Sequence, residues 1–75
     1  MNKKRRKEIG KFVDKLLDLQ DELQLILDDE QEAHDNTPES KEDTDMYQES
    51  EDAIDAMESA VDSIQEAIDN LQEIQ

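Results

Sequence analysis

The chain has 75 residues and a formal charge of -15, from 23 Asp/Glu against eight Lys/Arg. That length allows one small domain, and the absence of Cys excludes a disulfide framework or a thiolate metal site and fits a reducing cytoplasm. The longest apolar run is Leu25-Ile26-Leu27, too short for a membrane span or a signal-peptide core, so a cytoplasmic location is expected.

The charge is unevenly spread. Residues 1–15 hold seven Lys/Arg and two acids, whereas residues 16–75 hold one Lys, Lys41, and 21 acids. Most of such a surface repels nucleic acid, so direct nucleic-acid binding is not expected. Its complementary targets are basic surfaces. With 41% charged residues, disorder competes with folding. Helical spacing of the apolar residues, with one Gly and one Pro in the whole chain, favours ordered helix.

The first element is a basic head, Lys3-Lys4-Arg5-Arg6-Lys7. Positive charge at a helix N-terminus opposes the helix dipole and needs compensation. Three readings stay open: pairing with acids at the far end of the chain, near Glu66, Asp69 and Glu73; binding of an anionic ligand; or a solvated tail. Helix 1 is predicted over about residues 3–34. Its seam reads Ile9, Phe12, Leu16, Leu19, Leu23 and Ile26, fading at Glu30 and Ala33, with Gly10 near the start where its cost is least. Val13, Leu17, Leu25 and Leu27 lie off that seam, a wider stripe than one partner helix needs.

A turn is predicted at about residues 35–40. Asn36 suits the left-handed conformation that ends a helix, and Thr37-Pro38 resembles an N-cap followed by proline at the first helical position. Ser40 with Asp43 is a second cap candidate. Helix 2 is predicted over about residues 41–74 and is built on three heptads, from Ala53 to Glu73. Ile54, Val61 and Ile68 take one seam position, Met57, Ile64 and Leu71 the other, and Ala53, Ala60 and Ala67 lie beside them. Tyr47 and Phe12 read as core. A short connection makes the helices antiparallel neighbours. Phe12 is then expected opposite Ile64, Leu19 opposite Met57 or Ala56, and Leu23 opposite Ile54 or Ala53.

The expected fold is therefore an all-α antiparallel two-helix hairpin, coiled-coil-like. So small a hairpin buries little, and self-association into a four-helix bundle or a larger assembly is expected through Phe12, Val13, Leu16, Leu17 and Leu27. Asp55, Glu58, Asp62, Glu66 and Asp69 form an acidic face, read either as a solubilising surface or as a partner-binding one. Catalysis finds no support: there is no Cys, and Ser40, Ser50, Ser59 and Ser63 have no local base motif. The lone His34 sits by the turn, away from any evident pocket. Glu30 and His34 share a helical face, but helix 2 supplies no second Glu-x-x-His, and the Asp28–Asp35 run lacks the Gly of a calcium loop. No metal or cofactor is expected.

Three stretches together resemble a known group. They are Lys4-Arg5-Arg6-Lys7-Glu8-Ile9 at the head, Asp29 to Ser40 across the turn with its Asp-Asn-Thr-Pro-Glu-Ser core, and Glu51-Asp52-Ala53-Ile54-Asp55 with the heptads. They look like short helical-hairpin proteins of phages, prophages and conjugative elements of Gram-positive bacteria. The resemblance implies an accessory protein of a mobile element in a bacterial cytoplasm, and no catalytic residues. The expected function is a non-enzymatic acidic module that binds a basic host protein, inhibiting a host defence or DNA-binding protein. The alternatives are an oligomeric sponge that holds an anionic nucleotide with Lys3, Lys4, Arg5, Arg6 and Lys7, or a purely structural assembly protein.

Overall fold

The structure, a computed structural model covering residues 1–75, is a helical hairpin with the dimensions of a rod, 59 × 15 × 13 Å. Helix α1 runs Lys3–Asp35 and helix α2 runs Asp45–Gln72, joined by a short 3-10 turn at Glu39–Lys41. Asn2 caps α1: its side chain accepts from the Arg5 N–H at 2.8 Å. That cap satisfies one orphan donor in a first turn that contains no acid.

The connection differs from the expected one. Asn36 ends α1 at φ -89°, ψ 4°, and no residue has positive φ. A left-handed residue is unnecessary because the last carbonyls find other donors. The Asn36 N–H reaches the Glu32 carbonyl at 3.1 Å. The Thr37 hydroxyl donates back to the Ala33 carbonyl at 3.2 Å, so Thr37 closes α1 and does not open α2. The true cap of α2 is Thr44. Its hydroxyl donates to the Lys41 carbonyl at 2.7 Å and accepts from the Tyr47 N–H at 3.3 Å. Asp45 follows in the first turn, where its charge suits the dipole. Helix α2 thus starts four residues later than expected from about residue 41.

That delay moves the register. The Gln20 side chain donates to the Val61 carbonyl and His34 stacks on Tyr47; both pairs of residue numbers add to 81. The Ser50 hydroxyl donates to Glu30, a pair adding to 80. The same register sets Val13 opposite Ile68 and Leu27 opposite Ile54, and these four are the only fully buried residues. It sets Ile9, Leu16 and Leu23, each half-buried, opposite Leu71, Ile64 and Met57. The expected facing of Phe12 with Ile64, Leu19 with Met57, and Leu23 with Ile54 does not occur, because the longer connection slides α2 by more than a turn.

The seam of α2 follows its heptads: Tyr47, Ser50, Ile54, Met57, Val61, Ile64, Ile68 and Leu71 are its covered residues, with Ala67 at the edge. The seam of α1 is not the expected row. It runs Ile9, Val13, Leu16, Gln20, Leu23, Leu27, Glu30 and His34, a strict 4-3 alternation that keeps one stripe facing the partner. Phe12, Leu19 and Ile26, expected in the core, are 53%, 53% and 58% exposed. They form an outer row flanking the seam. By the hairpin register they run beside Ala67, Ala60 and Ala53, the residues flanking the seam of α2. Ala53 and Ala60 are exposed as well.

Candidate functional site

The acidic face of α2 is fully displayed. Asp55, Glu58, Asp62, Glu66 and Asp69 are all exposed; Asp55, Asp62, Glu66 and Asp69 lie on the side of α2 turned away from α1, and Glu58 lies on the flank beside the seam. Several carboxylates along both helices are steadied by a glutamine one turn earlier. Gln24 donates to Asp28 at 2.9 Å, Gln31 to Asp35 at 2.9 Å, Gln48 to Asp52 at 3.2 Å and Gln65 to Asp69 at 2.9 Å. Such i, i+4 ties restrict a rotamer without adding positive charge. The carboxylates are held, and their charge stays available to a partner.

The basic head is not paired within the hairpin. Lys3, Lys4, Arg5, Arg6 and Lys7 are exposed, and the hydrogen bonds that cross the hairpin come from Gln20 and Ser50, not from basic side chains. Of the three open readings of the head, pairing with Glu66, Asp69 and Glu73 is not made within the hairpin, for a geometric reason. The end of the chain already lies over Gly10, where a Cβ would stand 3.5 Å from the Gln75 side chain. Residues 3–7 therefore overhang α2, by roughly 10 Å at the helical rise.

The expected self-association set divides. Val13 and Leu27 are buried inside the hairpin and Leu16 is half-buried there, whereas Phe12 and Leu17 are exposed. The first three are committed to α2, and only the last two are accessible to another chain.

A cleft at the turn is the feature sequence reasoning missed. It encloses about 590 Å³, and Glu30, His34, Lys41, Thr44, Tyr47 and Ser50 are among its walls. The α1 C-terminus supplies His34 and Glu30; the capped α2 N-terminus supplies Tyr47 and Ser50. The His34 and Tyr47 rings stack at 4.0 Å between centroids, 18° from parallel, a face-to-face contact closer than the ~4.5–7 Å usual for aromatic pairs. His34 Nδ1 is buried without a hydrogen-bond partner. Burial, followed by the carboxylates of Glu42, Glu51 and Asp35, raises the Tyr47 phenol above its usual value and keeps it neutral. Glu30 and His34, which share a helical face, are engaged separately: Glu30 accepts from Ser50 at 2.7 Å and His34 stacks on Tyr47. No group of three or more His, Asp or Glu converges as metal ligands would. The spacing of Thr44, Tyr47 and Ser50 after the turn was the available signal, hidden by the more cap-like Thr37-Pro38.

Comparison with known proteins finds no match: no family model, no curated protein and no solved structure aligns with the chain. No helix is long and apolar enough to cross a membrane.

Proposed function

We propose that the hairpin is a non-enzymatic protein-binding module whose acidic α2 face docks on a basic protein surface. The observation that carries this reading is the set of carboxylates at Asp55, Glu58, Asp62, Glu66 and Asp69, exposed along one face of a helix with no basic residue after Lys41. A rigid row of like charge steers an oppositely charged partner and sets its orientation. In the setting that the resemblance implies, the partner is a DNA-binding or defence protein of a bacterial host.

The test is calorimetry against a lysine-rich basic peptide, with two charge-matched variants. Replacing Asp55, Asp62 and Asp69 by Asn should weaken binding by about tenfold, or ~1.4 kcal/mol, and added salt should weaken it further. Replacing Asp14, Asp18 and Asp21 on α1 by Asn changes the net charge equally and should cost much less. Equal losses in the two variants would reduce the effect to net charge and reject a docking face on α2.

The overhang of Lys3–Lys7 beyond α2 favours the second reading, capture of an anionic nucleotide by the head. Calorimetry with a nucleotide panel separates the two: heat that vanishes when Arg5 and Arg6 become Gln supports capture, and no heat with any nucleotide removes it.

A further inference from the structure

The apolar residues of this hairpin are distributed against expectation. The inner seam of α1 contains Gln20, Glu30 and His34, whereas the outer row of Phe12, Leu19 and Ile26 contains no polar residue. On α2 the matching flank is Ala53, Ala60 and Ala67. Met46, 80% exposed, continues this flank at the turn beside Ala33. From Phe12 to the turn, one long side of the rod is thus apolar, large side chains on one helix beside alanines on the other; Arg5 ends the row. The opposite flank is different in kind: beyond Leu17 it is polar, with Gln24 and Gln31 on α1 running with Glu51, Glu58 and Gln65 on α2. A contiguous apolar side of this size marks an interface. The whole rod measures 59 by 15 Å between Cα extremes, and the apolar side, from Phe12 to Ala33, runs along roughly 32 Å of it at the helical rise.

The charge distribution says what covers it. Residues 1–19 with 60–75 form the half of the rod that holds both termini. They carry seven basic and seven acidic side chains, a net of zero. Residues 20–59 form the turn half and carry sixteen acids and one Lys, a net of -15. Two copies stacked turn against turn would oppose two strongly negative halves. Two copies stacked head to turn place each negative half against a neutral half whose overhanging basic head is unpaired. Within α1 the polarity is sharper still: residues 3–15 are basic on balance, and residues 16–35 hold eight acids and no basic residue. An antiparallel pair of such helices is complementary along its length.

The register of the flank agrees with this arrangement. A two-fold axis running across the hairpin at Leu19 carries α1 onto α1 of the second copy, antiparallel, with Phe12 opposite Ile26. Because Leu19 lies beside Ala60, the same axis passes Ala60 and sets Ala53 opposite Ala67. One operation pairs both rows, as a closed isologous interface requires. It also lays the Met1–Arg5 end of each copy over the turn cleft of the other.

We propose that the side formed by Phe12, Leu19, Ile26 and the α2 alanines is covered by a second copy of the chain, packed head to turn about a two-fold axis at Leu19 and Ala60. The result is an antiparallel four-helix bundle that leaves the Asp55–Asp69 face outside, so it is independent of the partner proposed above.

The chain has no cysteine, so single-cysteine variants of the full protein read the packing directly. Light scattering at physiological ionic strength should give about twice the 8.7 kDa chain mass. Under mild oxidation Leu19→Cys should link to itself, and Ala60→Cys should link to itself. Phe12→Cys should not, but should link to Ile26→Cys when the two variants are mixed. Leu19→Asp should halve the mass while retaining helical circular dichroism, since Leu19 lies outside the hairpin seam. A monomeric wild-type chain overturns the proposal. So does a disulfide that forms only between Leu19→Cys and Ala60→Cys, which is the product of turn-to-turn packing.

Discussion

The two sides of α1 contrast in a way that inverts the usual rule. The stripe facing α2 is interrupted by Gln20, Glu30 and His34, while the stripe beside it, facing water in the single hairpin, is Phe12, Leu19 and Ile26. An uninterrupted apolar seam can slide by a heptad at little cost. Polar steps cannot, because each needs its own partner. Gln20 finds Val61 and Gln65, Glu30 finds Ser50, and His34 finds Tyr47. The inner side specifies register, and the outer side supplies apolar area. With only four residues fully buried, the hairpin by itself has a thin core.

This contrast can be broken most forcefully at the inner apolar steps. Leu27→Ala removes a side chain that is 6% exposed, with an expected loss of about 2–5 kcal/mol, enough to unfold so small a hairpin in a thermal melt. A loss under about 0.5 kcal/mol would mean that Leu27 is not in the core. The cap comes next: Thr44→Ala should cost about 1 kcal/mol and fray α2 at Asp45–Tyr47, seen as faster amide exchange there. Gln20→Leu should be close to neutral or stabilising, since it removes both polar groups' demand from the seam, yet should permit alternative registers. Melting below wild type by more than about 1 kcal/mol would show that the Gln20 hydrogen bonds carry stability as well as register.

The smallest effect is at the turn. Tyr47 is the sole tyrosine, so ultraviolet absorbance titrates it alone. Its folded value is raised above the ordinary 10.0. The stabilisation linked to the neutral phenol is complete below the unfolded value and is lost as pH rises through the folded one. An absorbance midpoint above 10 in the folded chain, falling on denaturation, is the expected result; identical midpoints would place Tyr47 in open water.

Much of α2 was legible in the sequence, because its seam positions from Ile54 to Leu71 are all aliphatic or Met and repeat every heptad. Helix α1 was legible as a helix but not in its orientation. Two rows share Ile9, Leu16 and Leu23, and the choice between Phe12-Leu19-Ile26 and Val13-Gln20-Leu27 turns on residues elsewhere in the chain. By hydrophobicity alone the first row wins. Gln20 belongs inside only because Val61 and Gln65 receive it, which is information local sequence does not hold. The turn misled for a related reason: Thr37-Pro38 has the form of a cap, but the Thr37 hydroxyl is turned back to Ala33. The acidic face and the basic head were visible as charge. The overhang that leaves the head unpaired was not, since it follows from a register set by Thr44.

Both the apolar side and the unpaired head depend on that register. Cysteines at Gln20 and Val61 of one chain test it directly, oxidised at high dilution and weighed by mass spectrometry. A disulfide within a single 8.7 kDa chain is the expected result. Closure instead between cysteines at Gln20 and Ile54, with none between Gln20 and Val61, would show α2 displaced by a heptad and contradict the account.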